Sequence, residues 1–173
     1  MKKLIFLFGL PVFTSLNSFG QNTGFEAQGP PDNSIFPEFS YVTIDGDSVS
    51  STDLKDKIVI VNIWFVGCTG CKQEEPYLRK VTEHYQGDDD IVFLGFCMTK
   101  PDRIKRYLEK NGEIGFSNIS LTREEVEEKF KVRLSPSHFL IKNGILIAKY
   151  TGPITPAGNT LQWYEEMIRN LKN

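Results

Sequence analysis

Cysteine and histidine are scarce in this chain of 173 residues, which contains three cysteines and two histidines. A structural zinc site usually takes four ligands of these types. Besides one CxxC pair, the candidates are Cys97, His84 and His138, and they form no second CxxC and no HxxxH pattern. We therefore expect no metal site and no bound cofactor.

Charge of one sign and long apolar runs are also lacking. The 20 basic and 22 acidic residues give a formal net charge of −2. Without a basic stripe, nucleic acid is disfavoured as a partner. After residue 20 the best apolar run, 58–66, is interrupted by Asn62 and falls short of the roughly 20 residues that a spanning helix needs. No stable membrane insertion is expected once residues 1–20 are removed.

Residues 1–20 have the pattern of a cleavable secretory signal. Lys2 and Lys3 precede the apolar stretch 4–13, and Ser18 and Gly20 supply small residues at positions −3 and −1 of a cleavage site. The apolar stretch is too short to serve as a membrane anchor. We expect cleavage after Gly20 and export to the periplasm, where disulfides can persist.

The rest of the chain predicts a short linker followed by one domain. Residues 21–35 contain Pro30-Pro31 and few large apolar side chains, which is typical of a flexible linker. In the predicted domain, 36–173, a hairpin at 36–49 precedes two buried strands at 58–66 and 91–97. Helices are predicted after each strand, and a second hairpin and a last helix close the domain. This order predicts an α/β fold with a mixed central sheet, helices on both faces and an N-terminal hairpin extension.

The CxxC pair, Cys68 and Cys71, lies where the first buried strand gives way to a helix. At a helix N-terminus, unpaired N–H groups and the helix dipole stabilise a thiolate. A spacing of three residues places both sulfurs on one side of the first turn, within reach of a disulfide. We predict that Cys68 is the exposed nucleophile and Cys71 the resolving thiol in disulfide exchange.

Several further motifs resemble the TlpA-like group of exported thioredoxin-fold proteins. They are the strand 60–65 before the CxxC pair, Glu74-x-Pro76 after it, the segment 136–141 and Asn143-Gly144. Together with residues 36–39, 45–46 and 54–57, the resemblance covers about 36–171. It departs from the pattern at Gly70, where proline is common, and at Gly67.

The resemblance implies a thioredoxin-like fold with a cis peptide bond at Pro136 facing the CxxC pair. It also implies thiol–disulfide exchange with exported proteins that carry disulfides or thiols. A membrane thiol donor would keep such a protein reduced, so reduction is the favoured direction. We expect the chain to act as a monomer.

Four residues around the pair receive predicted roles. Glu74 falls on the inward stripe of the predicted helix and matches the acid–base glutamate of the family, so we predict proton transfer to Cys71. The alternative is a glutamate that only complements the helix dipole. Ser135, Pro136 and Trp64 are predicted to bind substrate, although Trp64 would equally fit shielding of the disulfide or filling of the core.

The remaining polar residues favour structural roles. Glu75 is predicted to be solvated, Asn62 to be a hydrogen-bonded core amide and His138 to be structural. Cys97 is predicted to pack as a small apolar side chain rather than act as a regulatory thiol.

Two other functions are weighed against disulfide exchange. A copper-binding chaperone of thioredoxin fold would use Cys68, Cys71 and His138, but that group generally has three residues between its cysteines. A peroxidase of related fold would need a loop with proline and threonine before Cys68, and none is present.

Overall fold

The structure is a computed structural model that describes residues 26–172. The predicted signal peptide and residues 21–25 of the predicted linker lie outside these residues. Within 26–172, no helix is both long and apolar enough to cross a membrane. The described strands and helices are β1 (Ser40–Val42), β2 (Ser48–Ser50), β3 (Ile58–Trp64), α1 (Thr69–His84), β4 (Ile91–Cys97), α2 (Pro101–Asn111), β5 (Ser117–Ser120), α3 (Arg123–Phe130), β6 (Ser137–Lys142), β7 (Ile145–Thr151) and α4 (Thr160–Lys172).

Strand β3 occupies the centre of a five-stranded sheet with the order β5-β4-β3-β6-β7. It pairs parallel with β4 and antiparallel with β6, so the sheet is mixed, as the sequence predicts. All seven residues of β3 are buried, which explains why its sequence is almost continuously apolar and β-branched. The strand ends at Trp64, shortly before the CxxC pair.

Helices cover both faces of this sheet. On one face, α1, α2 and α4 contribute Leu78, Ile104 and Ile168 to the core. On the other face, Phe130 of α3 stacks on Phe36 of the N-terminal segment, with ring centroids 5.6 Å apart. The prediction of a mixed sheet covered on both faces is confirmed. Strands β1 and β2 form the separate hairpin that precedes it.

Part of the predicted linker is held against the sheet. The Asn33 N–H donates to the Leu146 carbonyl at 2.8 Å, the Leu146 N–H donates to the Ser34 carbonyl at 2.9 Å, and Ile35 forms a bridge with Ile145. Strand β7 lies at the edge of the sheet, where unpaired backbone groups are available for such contacts. Because of these contacts, the domain begins before the predicted boundary at residue 36. The composition of the segment does not reveal them, since the partner strand is distant in the sequence.

Candidate active site

The turn between β3 and α1 places Cys68 at the start of the helix. Cys68 is the N-cap residue with extended backbone angles, and its Sγ accepts a hydrogen bond from the Cys71 backbone N–H at 3.1 Å. Just before it, Gly67 has φ of +103°, a conformation that side chains with a Cβ rarely adopt. Cys68 and Cys71 are joined by a disulfide, with their Cα atoms 5.2 Å apart.

The two cysteines face different spaces. The predicted exposure of Cys68 is wrong, since Cys68 and Cys71 are 6% and 4% exposed. Cys68 nevertheless lines a surface groove of about 530 Å³, together with Thr69, Lys72 and Tyr107. Cys71 lines an internal cavity of about 10 Å³. An incoming disulfide in the groove would therefore meet Cys68, while Cys71 lies behind it.

The Ser135–Pro136 peptide bond is cis, as the resemblance implies, and Pro136 lies against the CxxC turn. A Cβ atom at Gly70 would stand only 3.0 Å from Pro136 Cδ, so glycine lets the turn approach the proline. The half-buried Ser135 has a hydroxyl with no hydrogen-bond partner among residues 26–172. Of the two predicted substrate-binding residues of this loop, Pro136 thus lies beside the CxxC turn and Ser135 directly precedes it in the chain.

Trp64 lies behind the cysteine pair, and the prediction that it binds substrate does not fit its place. It is 5% exposed, and its indole N–H donates to Asn118 Oδ1 at 3.1 Å. Its ring lies 5.7 Å from that of Tyr107 and lines the internal cavity with Cys71. The indole is therefore part of the core and borders the cavity of Cys71 from within.

Glu74 is the most strongly bonded side chain of the site. It is 1% exposed and lines the same internal cavity as Cys71. Its Oε1 accepts from Asn62 Nδ2 at 2.7 Å, and its Oε2 accepts from the Ile154 backbone N–H at 2.9 Å. His138 Nε2 lies 2.9 Å from the same Oε2. This burial excludes a solvated glutamate that only complements the helix dipole.

The neighbouring Glu75 is also buried, and its predicted solvation is wrong. It is 6% exposed, accepts a hydrogen bond from the Tyr107 hydroxyl and lies 3.7 Å from Arg79 Nη2. Burial and the adjacent Glu75 carboxylate raise the pKa of Tyr107 well above its ordinary value. Helical spacing on α1 gives no signal for this pair, because Tyr107 comes from α2.

Cys97 is fully buried at the end of β4, and burial raises the pKa of its thiol to about 12. In the reduced protein at about pH 8, we expect Cys97 to resist alkylation while Cys68 reacts, because the nucleophile is the thiolate. Mass spectrometry of labelled peptides measures this. Labelling of Cys97 as fast as that of Cys68 would contradict it.

The raised pKa of Cys97 also predicts that the stability of the fold depends on pH. The unfolded thiol titrates near its ordinary value of 9.0, so between pH 9 and 12 the unfolded state binds fewer protons than the folded state. The free energy of unfolding should therefore fall as pH rises through this window. In Cys97→Ala this part of the fall should disappear in urea unfolding.

No group of three or more histidine, cysteine, aspartate or glutamate side chains in the described part of the chain is placed to hold a metal ion. His138, which the copper hypothesis requires, faces Glu74. Nothing in this geometry favours copper binding.

The fold and the CxxC pair at the start of α1 define a thioredoxin-fold thiol–disulfide oxidoreductase. The chain belongs to the AhpC/TSA family, whose family model matches residues 33–149. Membership fits both the predicted TlpA-like resemblance and the predicted redox chemistry.

Two curated relatives from Bacillus subtilis carry related names. The thioredoxin-like protein YneN is 25% identical over 121 residues, covering 69% of this chain and 71% of that protein. The thiol-disulfide oxidoreductase ResA is 27% identical over 121 residues, covering 69% and 66%.

A solved structure supports the fold. The thioredoxin-family thiol:disulfide interchange protein from Chlorobium tepidum superposes with a TM-score of 0.67 at 22% identity, covering 83% of this chain and 99% of that chain. At this identity the match carries the thioredoxin-like fold, which the sequence predicted.

Proposed function

We propose that this protein acts in the periplasm as a monomeric reductase of disulfides in exported proteins, and that a membrane thiol donor returns it to the reduced state. The pattern of residues 1–20 supports the location, and the resemblance to the TlpA-like group supports the donor. The oxidoreductase activity itself follows from the family and the cysteine pair. We further propose the direction of the reaction, the roles of the site residues and the compartment in which the protein acts.

The observation that carries the roles is the different surroundings of the two sulfurs. Cys68 lines the surface groove and sits at the helix N-terminus, where a thiolate is stabilised. Its thiolate attacks a client disulfide, forms a mixed disulfide and releases one client thiolate. Cys71 then loses its proton and attacks Cys68 Sγ. The second client sulfur leaves with the electron pair. The client disulfide is thereby reduced by two electrons, and the Cys68–Cys71 dithiol is oxidised to a disulfide.

Glu74 supports both the proton transfer and the direction. It stands one helical turn after Cys71 and borders the same cavity. As a carboxylate it can accept the Cys71 proton. Its buried negative charge also disfavours a second negative charge on the nearby sulfur. This penalty lies on the reduced state, so the reduced protein gives up its electrons more readily.

The groove at Cys68 is the proposed client site. Lys72 supplies a positive charge and Val66 an apolar wall, while Pro136 lies against Gly70 of the CxxC turn. Leu134, which is 42% exposed, extends this surface with an apolar side chain. We infer that an extended client segment lies across Pro136 with its cysteine at Cys68.

The direction is tested by equilibrating the protein with defined glutathione or dithiothreitol buffers. We expect a reduction potential below about −200 mV, nearer to thioredoxin than to the strong oxidant DsbA at about −120 mV. The oxidised fraction is measured by mass shift after alkylation, with a Cys68→Ser/Cys71→Ser variant as the blank. A potential above about −150 mV would assign the protein to the oxidising side instead.

A further inference from the structure

His138 and Glu74 form a pair in the interior of the site. His138 stands on β6 directly opposite Asn62 of β3 in the antiparallel register. The side chains of His138 and Glu74 are 0% and 1% exposed, and Nε2 lies 2.9 Å from Oε2. A buried imidazole needs a hydrogen-bond partner for its N–H group. Here that partner is Glu74, one of the two glutamates that border the cavity of Cys71.

The hydrogen-bond partners around the pair indicate which ring nitrogen of His138 carries the proton. The Glu74 carboxylate already accepts from the Asn62 amide and the Ile154 backbone N–H. His138 Nδ1 is buried and has no partner among residues 26–172. A proton on Nδ1 would be a buried donor without an acceptor, which is unfavourable. The arrangement therefore assigns a neutral imidazole with its proton on Nε2, donating to Oε2.

The other titratable groups near the pair are Glu75, which borders the same cavity, and two tyrosines. Tyr150 is the partner of His138 on β7, and the ring of Tyr164 on α4 lies 5.3 Å from the imidazole. Burial, and after it the charge of Glu74, raises the pKa of both phenols. Both phenols stay neutral at physiological pH, and Glu75 is bonded to Tyr107 and faces Arg79. This leaves Cys71 as the proton donor that the proposed function assigns to Glu74.

We propose that His138 is a positioning residue for disulfide exchange: its Nε2–H holds the Glu74 carboxylate, ionised and correctly oriented, beside Cys71. This rests on the proposed function, in which Glu74 takes the Cys71 proton. In the step, the Cys71 S–H bond breaks and its proton passes to Glu74. The Cys71 thiolate then forms a bond to Cys68 Sγ, and the bond between Cys68 Sγ and the client sulfur breaks. The client thiolate leaves with the electron pair and is protonated by solvent, and Glu74 returns its proton to solvent.

The three donors are divided unevenly between the two carboxylate oxygens. The Asn62 amide fixes Oε1, whereas the Ile154 N–H and His138 both converge on Oε2. Without the imidazole, Oε2 keeps a single donor from a backbone segment. The carboxylate would then be both less stabilised as an anion and freer to rotate away from Cys71.

The test separates the two chemical steps. Reduced protein is mixed with excess Ellman's disulfide, and the released aromatic thiolate is followed by stopped-flow absorbance. The first release reports attack by Cys68, and the second reports attack by Cys71. In His138→Leu we expect the second phase to slow about tenfold and the first to change by less than about twofold. His84→Leu, on the exposed face of α1, is the matched control and should change neither.

A double-mutant cycle identifies the route of the effect. If His138 acts through Glu74, adding His138→Leu to Glu74→Gln should slow the second phase by no more than about twofold further. The same tenfold loss in both backgrounds, or equal slowing of both phases, would overturn the proposal and leave His138 a packing residue. His138→Gln keeps an amide donor and should recover the second phase to within about threefold of the unsubstituted protein.

A measurement on the unsubstituted protein guards against a variant that fails to fold. Nitrogen NMR of histidine-labelled protein reports the tautomer, with His84 as an internal reference. We expect the proton of His138 on Nε2, and a proton on Nδ1 alone would overturn the proposal. If the unsubstituted protein shows no second release at all, the proposed function fails, which is distinct from an active protein that is indifferent to His138.

Discussion

Cys71→Ser is expected to accumulate mixed disulfides through Cys68 and to lose disulfide-reductase turnover by about a thousandfold or more. The reason is that Cys71 is held next to Cys68 by one helical turn, and such an intramolecular group acts at a very high effective concentration. Once serine replaces it, only external thiols can resolve the adduct. Oxidised glutathione is the probe, and intact mass measures the adduct over time.

Cys68→Ser is the informative partner of this variant. Its remaining thiol, Cys71, lies against the internal cavity rather than the groove, so we expect little or no adduct. Cys97→Ala should behave like the unsubstituted protein because Cys97 is fully buried. If Cys68→Ser formed the adduct as quickly as Cys71→Ser, the assigned roles of the two cysteines would be reversed.

Glu74→Gln is expected to raise the reduction potential by about 30 mV or more, which corresponds to about 1.4 kcal/mol for a two-electron couple. Removing the buried carboxylate relieves the penalty on a thiolate nearby, so the reduced state gains stability. The resolving step should slow about a hundredfold at the same time, because the proton acceptor is lost. Redox equilibration and the second phase of the Ellman reaction measure the two effects.

The fold should tolerate this change. Asn62 Oδ1 has no partner among residues 26–172, so a rotated Asn62 amide can accept from the new glutamine N–H. Glu83→Gln removes the same charge from an exposed position on the same helix and is the matched control. Equal potentials for both variants and the unsubstituted protein would mean that the Glu74 charge does not set the direction.

Local sequence patterns predicted most of the regular structure. Strand β4 has the predicted bounds, 91–97, because its apolar run lies between clear breaks. Helix α1 begins at Thr69 with Cys68 as its N-cap, in agreement with the predicted place of the pair at a helix N-terminus. The place of the N-terminal segment 33–35 could not be predicted in this way, because its partner β7 lies more than 100 residues away in the sequence.

In the candidate site, too, some features follow from local sequence patterns and others depend on tertiary contacts. The pair at a strand-to-helix junction and the inward Glu74 follow from spacing along one helix. Glu75 and Tyr107 do not, since they meet only when α1 and α2 pack. The sequence allowed Trp64 to bind substrate, to shield the disulfide or to fill the core, and only its contact with Asn118 shows that the indole lies inside.

By itself, the sequence determined the chemistry: two cysteines at the start of a helix, a glutamate one turn later and a proline before a buried strand. Those features are local, because helix and strand periodicity decide which side chains share a face. Only the tertiary structure decided which sulfur faces the groove, which donors hold Glu74 and where His138 points. Each of these depends on contacts between elements far apart in the chain, and strand register and helix packing set those contacts.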